Sequence, residues 1–234
     1  MIQSNDTKGI SHCSVFDSET SWYDLLTDDE KILINENSVS IIFKKGETVC
    51  KRGAFASHIY FLEDGLVKVY LEEKNKNLIL MLAIRNNLLG MAAIFDGNNK
   101  LPYSITTYTD SIVRMIDIQV FTKLLKQNSA FSFHVINLLN EKTAQMYGRF
   151  FSLTQKQLHG RLADILLCLS NRIFKSTSFE LPLSRADLGD LTGMSTESII
   201  RMMKEFKDDG LIGMHCKNIE LLDIARLERI SEFG

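Results

Sequence analysis

The sequence predicts an α+β chain: an N-terminal antiparallel β-roll, one long helix, and a C-terminal winged helix-turn-helix. Three observations predict it. Short apolar runs punctuated by glycine turns fill residues 39–117, as strands of a roll or barrel should. From Gln119 onward apolar residues recur every three or four positions, which is helical spacing. Finally, the stretch RADLGDLTGMSTESIIRMMK (185–204) places two glycines where two short helices would cross and turn.

The strand runs are 39–43, 59–62, 66–71, 78–84, 104–108 and 112–116. In the third, Val67, Val69 and Leu71 alternate with Lys68 and Tyr70, the pattern of a half-buried strand. Lys45-Gly46, Asp64-Gly65 and Asp96-Gly97-Asn98-Asn99 are turn signals, and 74–77 reads as a hairpin tip. A short helix carrying Val120, Phe121, Leu124 and Leu125 ends near 127–129. The longer helix that follows carries Phe131, Val135, Leu138, Leu139, Met146, Phe150 and Leu153. About 24 residues at 1.5 Å each span roughly 35 Å, more than a small β-domain can cover. The stripe therefore predicts a coiled-coil-like seam against a second copy, with packing on the roll alone as the alternative. Lys142 interrupts that stripe. Residues 153–157 read as a polar hinge, followed by a helix (158–173), a strand (179–183), two helices (185–209), a hairpin (211–222) and a last helix (223–231). The implied domains are 1–128, 129–153 and 154–234.

Composition narrows the function classes. Hydrophobic content of 45% and charged content of 24% over 234 residues are globular values, so disorder is not the default. Residues 1–14 are polar, which predicts neither signal peptide nor membrane anchor and hence a cytoplasmic protein. Cys13, Cys50, Cys168 and Cys216 are far apart, arguing against a disulfide framework and against a local zinc site. No nucleophile–base set, metal cluster or phosphate-binding loop stands out, so no enzyme is expected. Net charge is −2, and from Lys156 onward eleven basic residues face twelve acidic ones. Any nucleic-acid binding must therefore come from where the charges are placed.

The segment 185–204 supplies such a placement. Gly189 stands where the helices nearly touch, and Gly193 permits the turn between them. Leu188, Met194, Ile199 and Met202 fall where the two helices share a core. Ser184 and Asp187 form a capping box, and Ser195 caps the second helix. Thr192 departs from the aliphatic residue more usual at its position. An ordinary αα-hairpin is the alternative reading. The second helix presents Thr196, Glu197, Ile200, Arg201 and Lys204 on one face, with Ser195 and Ser198 as further DNA-contact candidates at its start. Arginine can bond a guanine edge bidentately, glutamate can accept from cytosine, and isoleucine can touch a thymine methyl. Glu197 and Arg201 are also i, i+4 neighbours that can pair on the surface. Arg185, Lys204, His215 and Lys217 are placed for phosphates, though His215 and Lys217 equally fit a solvated hairpin.

Two stretches together resemble the Crp/Fnr family of regulators over nearly the whole chain. One is FKKGETVCKRG…IYFLEDGLVKVYLE (43–72), similar to the family's cyclic-nucleotide-binding-like roll; the other is LSRADLGDLTGMSTESIIRMMKEFKDDGLI (183–212), similar to its helix-turn-helix and wing. The resemblance implies a homodimer on two-fold symmetric double-stranded DNA, a G·C pair read by Glu197 and Arg201, and RNA polymerase as a further partner. It also implies that a signal sensed in the roll re-aims the recognition helices through the long helix and hinge. The chain departs from the family's nucleotide binders. Met91 follows Gly90 where they place a glutamate, and Leu101-Pro102-Tyr103-Ser104 stands where they place Arg-Ser, so cyclic AMP is not expected. Met81, Leu82, Gly90, Met91, Ile94 and Tyr103 are expected to line an altered, apolar effector pocket. The family's iron–sulfur members need more thiolates than Cys13 (after His12) and Cys50 provide, so no cluster is expected. His58 and His134 are the histidines available to a haem iron, and as lone histidines both also fit structural roles. Cys168 falls on an apolar helix face; Cys13 and Cys216 are the redox candidates. The remaining alternative is a small-molecule-binding module whose helical tail contacts proteins.

Overall fold

The computed structural model of the chain describes residues 15–16, 22–74, 76–94 and 99–234. Cys13, the turn at 96–98 and the hairpin-tip residue Asn75 therefore lie outside the described residues. Among the described residues nine strands build the roll: β1 (Val15–Phe16), β2 (Ser38–Phe43), β3 (Thr48–Cys50), β4 (His58–Asp64), β5 (Leu66–Glu73), β6 (Lys76–Ile84), β7 (Asn87–Leu89), β8 (Ser104–Thr107) and β9 (Ser111–Asp117). They form two sheets, ordered β2-β9-β4-β7 and β1-β6-β5-β8-β3. All pairings within the roll are antiparallel except β1, which runs parallel to β6. Gly65, in the turn from β4 to β5, has φ +105°, and a β-carbon there would collide with Ser111. That turn is closed to any residue but glycine.

The helices are α1 (Asp28–Glu36), α2 (Ile118–Gln127), α3 (Ser129–Gln155), α4 (Leu158–Cys168), α5 (Arg185–Thr192), α6 (Thr196–Asp208) and α7 (Ile224–Phe233). A third, small sheet, β10 (Ser178–Glu180), β12 (Asn218–Leu221) and β11 (Ile212–His215), forms the wing. The expected architecture is thus present, with local differences. Helix α1 was not read from the sequence, although Thr27 and Glu30 form a reciprocal capping box at its start. The expected helix 158–173 is α-helical only to Cys168 and then widens into a π-helical turn, Leu169–Phe174. The expected hinge 153–157 shrinks to Lys156 and Gln157, because α3 runs on to Gln155. Even that break is pinned. Asp164 on α4 accepts from Lys156 Nζ at 2.8 Å and from Ser152 Oγ at 2.9 Å, and both charged side chains are 9% exposed.

Three apolar clusters hold the molecule together. One fills the roll between its sheets, with Leu62, Val67, Val69, Ala83, Leu101 and Ile105 fully buried. A second joins the roll to α1, α2 and α3 around Trp22, whose ring meets Phe61, Phe121 and Phe131. The third is the core of α4–α7 and the wing, and it continues into the roll through Leu66, Ile79, Leu82 and Tyr108. The C-terminal domain is therefore seated on the outer face of the β6–β5 ribbon.

The stripe on α3 divides into two faces. Phe131, Val135 and Leu138 are buried against the roll, so the alternative packing holds for this half. Ile136, Leu139, Met146 and Phe150 are exposed, by 52%, 39%, 54% and 70%. With Thr143 between them these positions step by three and four residues, the spacing of a coiled-coil seam.

Cys168 is buried and disulfide-bonded, a single bond rather than the disulfide framework that the cysteine spacing argued against. Cys50 is buried beside the Ile105 backbone and Tyr60, and burial pushes its thiol up to about 12. Its thiolate is therefore not accessible at neutral pH.

Candidate nucleic-acid interface and effector cavity

The helix-turn-helix forms because each local requirement in the sequence is met. Ser184 Oγ accepts from the Asp187 backbone N–H while Asp187 accepts from that of Ser184, which starts α5. Gly193 ends α5 with φ +67°, and its N–H returns to Gly189 O. A β-carbon on Gly189 would lie 2.7 Å from Met194 O, so only glycine lets the chain pass this close. Thr192, the departure noted above, is buried and donates its hydroxyl to Leu188 O at 2.6 Å, which satisfies it within its own helix. Ser195 Oγ accepts from the Ser198 N–H at 3.2 Å and caps α6.

Helix α6 then divides cleanly. Ile199, Met202, Met203 and Phe206 are buried against α4, α5 and the wing. Glu197, Ile200, Arg201 and Lys204 are exposed, with Thr196 and Ser198 partly so. Met203 was the inward residue the sequence reading missed. Arg201, for which a surface pair with Glu197 was the alternative reading, has its Nε 3.7 Å from Glu205, one turn further on. Glu197 instead folds back on its own backbone N–H and the Ser195 hydroxyl, which hold its carboxyl below the usual range. A negative group at a helix N-terminus is favoured there.

The phosphate candidates separate. Lys204 shares the open face of α6, and His215 is exposed at the end of β11. Arg185 and Lys217 instead border a groove whose other wall is Lys45 and Gly46 of the roll. Arg185 is partly buried, its Nη2 3.9 Å from Met214 Sδ. Close by, Lys68 Nζ bonds Asp187 at 2.9 Å and lies 5.2 Å and 5.3 Å from the ring centres of Tyr70 and Tyr108. Burial raises the Asp187 carboxyl, but Ser184, Lys68 and Tyr108 outweigh it and the net displacement is downward. The acidic edge of α5 is thereby clamped to the roll.

The second site is a cavity of about 560 Å³ between β5, β6, β7 and α3. Met81, Met91 and Tyr103 are among the residues that line it. Gly90, expected in the pocket, is not among its lining residues; it stands between Leu89 and Met91 with φ +89° and donates its N–H to Tyr103 Oη at 2.8 Å. Leu82 and Ile94 are corrections: Leu82 faces the interdomain core, and Ile94 borders a separate groove with Phe55 and Lys123. Two charged residues missed by the sequence reading enter the cavity from α3. Lys142 donates to Leu88 O at 2.6 Å, and burial lowers its ammonium to about 7. Arg149 is 7% exposed and donates to Ile79 O of the roll and to Leu191 O of α5, the latter at 2.7 Å. Burial lowers its guanidinium to about 10. The available signal was their spacing from Leu138 on the roll-facing row, seen only once that row is separated from the exposed one.

His58 starts β4 with its Nδ1 2.8 Å from Ser57 Oγ, while His134 lies on α3. Among the described residues no group of three His, Cys, Asp or Glu side chains converges to hold a metal ion. Among them also, no helix is long and apolar enough to cross a membrane.

Comparisons with known proteins match this layout part by part. A family model for a cyclic nucleotide-binding domain matches residues 41–128, and one for a Crp-like helix-turn-helix domain matches residues 160–230. The chain belongs to the Crp/Fnr family of transcription regulators. The fumarate and nitrate reduction regulatory protein of Escherichia coli (strain K12) is 24% identical over 183 residues, covering 76% of this chain and 72% of that one. The transcriptional activator protein anr of Pseudomonas aeruginosa is 22% identical over 189 residues, covering 79% and 77%. A transcriptional regulator of the Crp/Fnr family from Eubacterium rectale shares the fold, with TM-score 0.75, 17% identity, and 91% and 98% of the two chains covered. As in other Crp/Fnr regulators, the helix-turn-helix here is a DNA-binding domain and the roll a sensor domain.

Proposed function

We propose that the chain acts as a homodimer, not an enzyme, that reads a two-fold symmetric DNA site with the open face of α6 and is controlled by a ligand held between roll and α3. The observation that carries the DNA reading is the division of α6. Its inner face is sealed by Ile199, Met202, Met203 and Phe206, while Glu197, Ile200, Arg201 and Lys204 stand free of the fold. Arg201 would take a guanine edge, Glu197 its paired cytosine, and Ile200 a neighbouring thymine methyl. Thr196, Ser195 and Ser198 at the start of α6, with Lys204, His215, Arg185 and Lys217, would bond phosphates and set the register. The exposed row on α3 supports dimerisation, since Ile136, Met146 and Phe150 leave more than half of their surface open. Two recognition helices must then present half-sites about 34 Å apart. The domain limits would be 1–128, 129–153 and 154–234, with the protein in the cytoplasm and RNA polymerase as a further partner. Pro102 and Tyr103 stand in the cavity region where nucleotide-binding relatives place Arg-Ser, which supports an effector other than cyclic AMP.

Selection of bound duplexes from a random pool tests this reading. A palindromic consensus is expected, and Arg201→Ala should weaken it by roughly 1–3 kcal/mol and relax preference at one base pair of each half-site. Unaltered selectivity in that variant would refute the assignment of Arg201.

A further inference from the structure

Cys168 is the last residue of α4, where the winged domain meets the roll. After it the helix widens into the π-helical turn Leu169–Phe174, and that turn packs on β1, which pairs with β6 at the edge of its sheet. Val15 of β1 is buried in the core shared by both domains, and Gln145 of α3 donates to its carbonyl at 3.3 Å. Roll, long helix and winged domain therefore converge on this short strand. The chain has four cysteines. Cys50 and Cys216 are free and Cys168 is disulfide-bonded, which leaves Cys13, two residues before β1 in the sequence, as the candidate for the second sulfur.

A disulfide is out of place in a DNA-binding protein. Inside a cell, glutathione and thioredoxin keep thiols reduced, and the disulfides that do form there are mostly transient and redox-sensing. The position of this one decides what it would do. Tying α4 to the segment that leads into β1 fixes the seat in which α5 lies on β6 and Lys68 holds Asp187. In that seat Arg185 and Lys217, two of the phosphate candidates, border a groove whose other wall is Lys45 and Gly46 of the roll, and Arg185 is partly buried. The seated arrangement thus keeps part of the DNA-facing surface against the protein.

We propose that the Cys168 disulfide is a reversible redox lock: bonded, it holds the winged domain on the roll in a seat that binds DNA weakly, and reduced, it frees that domain to reach its site. The effect on DNA rests on the regulator reading above; the thiol chemistry does not. In closing, one protein thiolate attacks a low-molecular-weight disulfide, giving a mixed disulfide and one departing thiolate. The second protein thiolate then displaces the other. Two protein thiols are oxidised, one small disulfide is reduced, and the two protons pass to the departing thiolates. Opening is the reverse, with a small thiol or dithiol as reductant, and needs only one of the two sulfurs within its reach.

Full-length protein equilibrated with glutathione disulfide or with dithiothreitol tests the assignment. Peptide mass mapping should find the Cys168 peptide joined to the Cys13 peptide in the oxidised sample, and both peptides alkylated in the reduced one. Small-angle scattering should show the reduced form to be the more extended. Binding to a duplex selected from a random pool should be at least about tenfold weaker in the oxidised form. Cys168→Ala should bind as the reduced protein does under both conditions. Cys13→Ser, which leaves the α4 sequence unaltered, should do the same, and Cys216→Ser should keep the whole response. Equal affinity in the two states, a response that survives either Cys168→Ala or Cys13→Ser, or an oxidised chain that runs as a covalent dimer on a non-reducing gel would each overturn the proposal. The two readings fail separately. A reversible bond with compaction but no duplex selected in either state sinks only the regulator; a palindromic consensus whose binding ignores the redox state sinks only the lock.

Discussion

Helices α3 and α6 are both amphipathic, yet they place their charges in opposite directions. On α6 the apolar side is buried and Glu197, Arg201 and Lys204 face solvent, the arrangement of a surface helix ready for a polar partner. On α3 two cations, Lys142 and Arg149, turn toward the protein, while Ile136, Met146 and Phe150 point out. An exposed apolar row and an inward charge are each costly in an isolated domain. Helix α3 thus carries an apolar row outward and two cations inward, Lys142 bonded to Leu88 O and Arg149 to Ile79 O and Leu191 O.

Substitutions can break this contrast at known points. The largest effect is expected at the outer face of α3. Phe150→Glu places like charges opposite each other in a symmetric seam and should weaken the dimer by about 3–5 kcal/mol, read by sedimentation equilibrium. A variant that stays dimeric at micromolar concentration would show that the seam lies elsewhere. On the α6 side, Gly189→Val forces a side chain into Met194 O and should destabilise the C-terminal domain by about 1–3 kcal/mol in denaturant melts. Wild-type stability there would mean the helices need not cross so closely.

The inner face of α3 gives the opposite sign. Lys142 titrates near 7 in the folded chain against an ordinary lysine value of 10.5, so unfolding takes up a proton between those values. Stability from this group therefore rises as pH rises from about 7 to about 10, and below that window the buried charge is destabilising. Lys142→Met should stabilise the ligand-free protein by roughly 1–3 kcal/mol at neutral pH and flatten that rise. A variant that melts lower, or keeps the same pH slope, would show that the ammonium carries no such cost. Smallest is the solvent-exposed pair on α6: Glu205→Gln should shift stability by no more than about 0.5 kcal/mol. A larger loss would mean that its contact with His159, at 2.9 Å, matters more than its exposure implies.

The helix-turn-helix was legible because its determinants are local. Ser184, Asp187, Gly189, Gly193 and Ser195 act within a few residues of themselves, so spacing alone reports them. Spacing allowed a Glu197–Arg201 surface pair but could not show that the Ser195 hydroxyl and the helix start draw Glu197 back. On α3 the apolar residues were all visible, but two faces were merged into one stripe, and Lys142 was taken for an interruption when it stands in the roll-facing row.

By itself the sequence determined the order of roll, long helix and winged helix-turn-helix, and the turn and cap chemistry that starts and stops the elements. These follow from backbone sterics and from hydrogen bonds between near neighbours. Only the tertiary structure decided which side of α3 meets the roll, that Lys68 clamps Asp187, and that Arg149 spans Ile79 and Leu191. These contacts join residues dozens of positions apart. Their energy depends on burial and on which carbonyls lie within reach, and neither is fixed until the sheets and helices have packed.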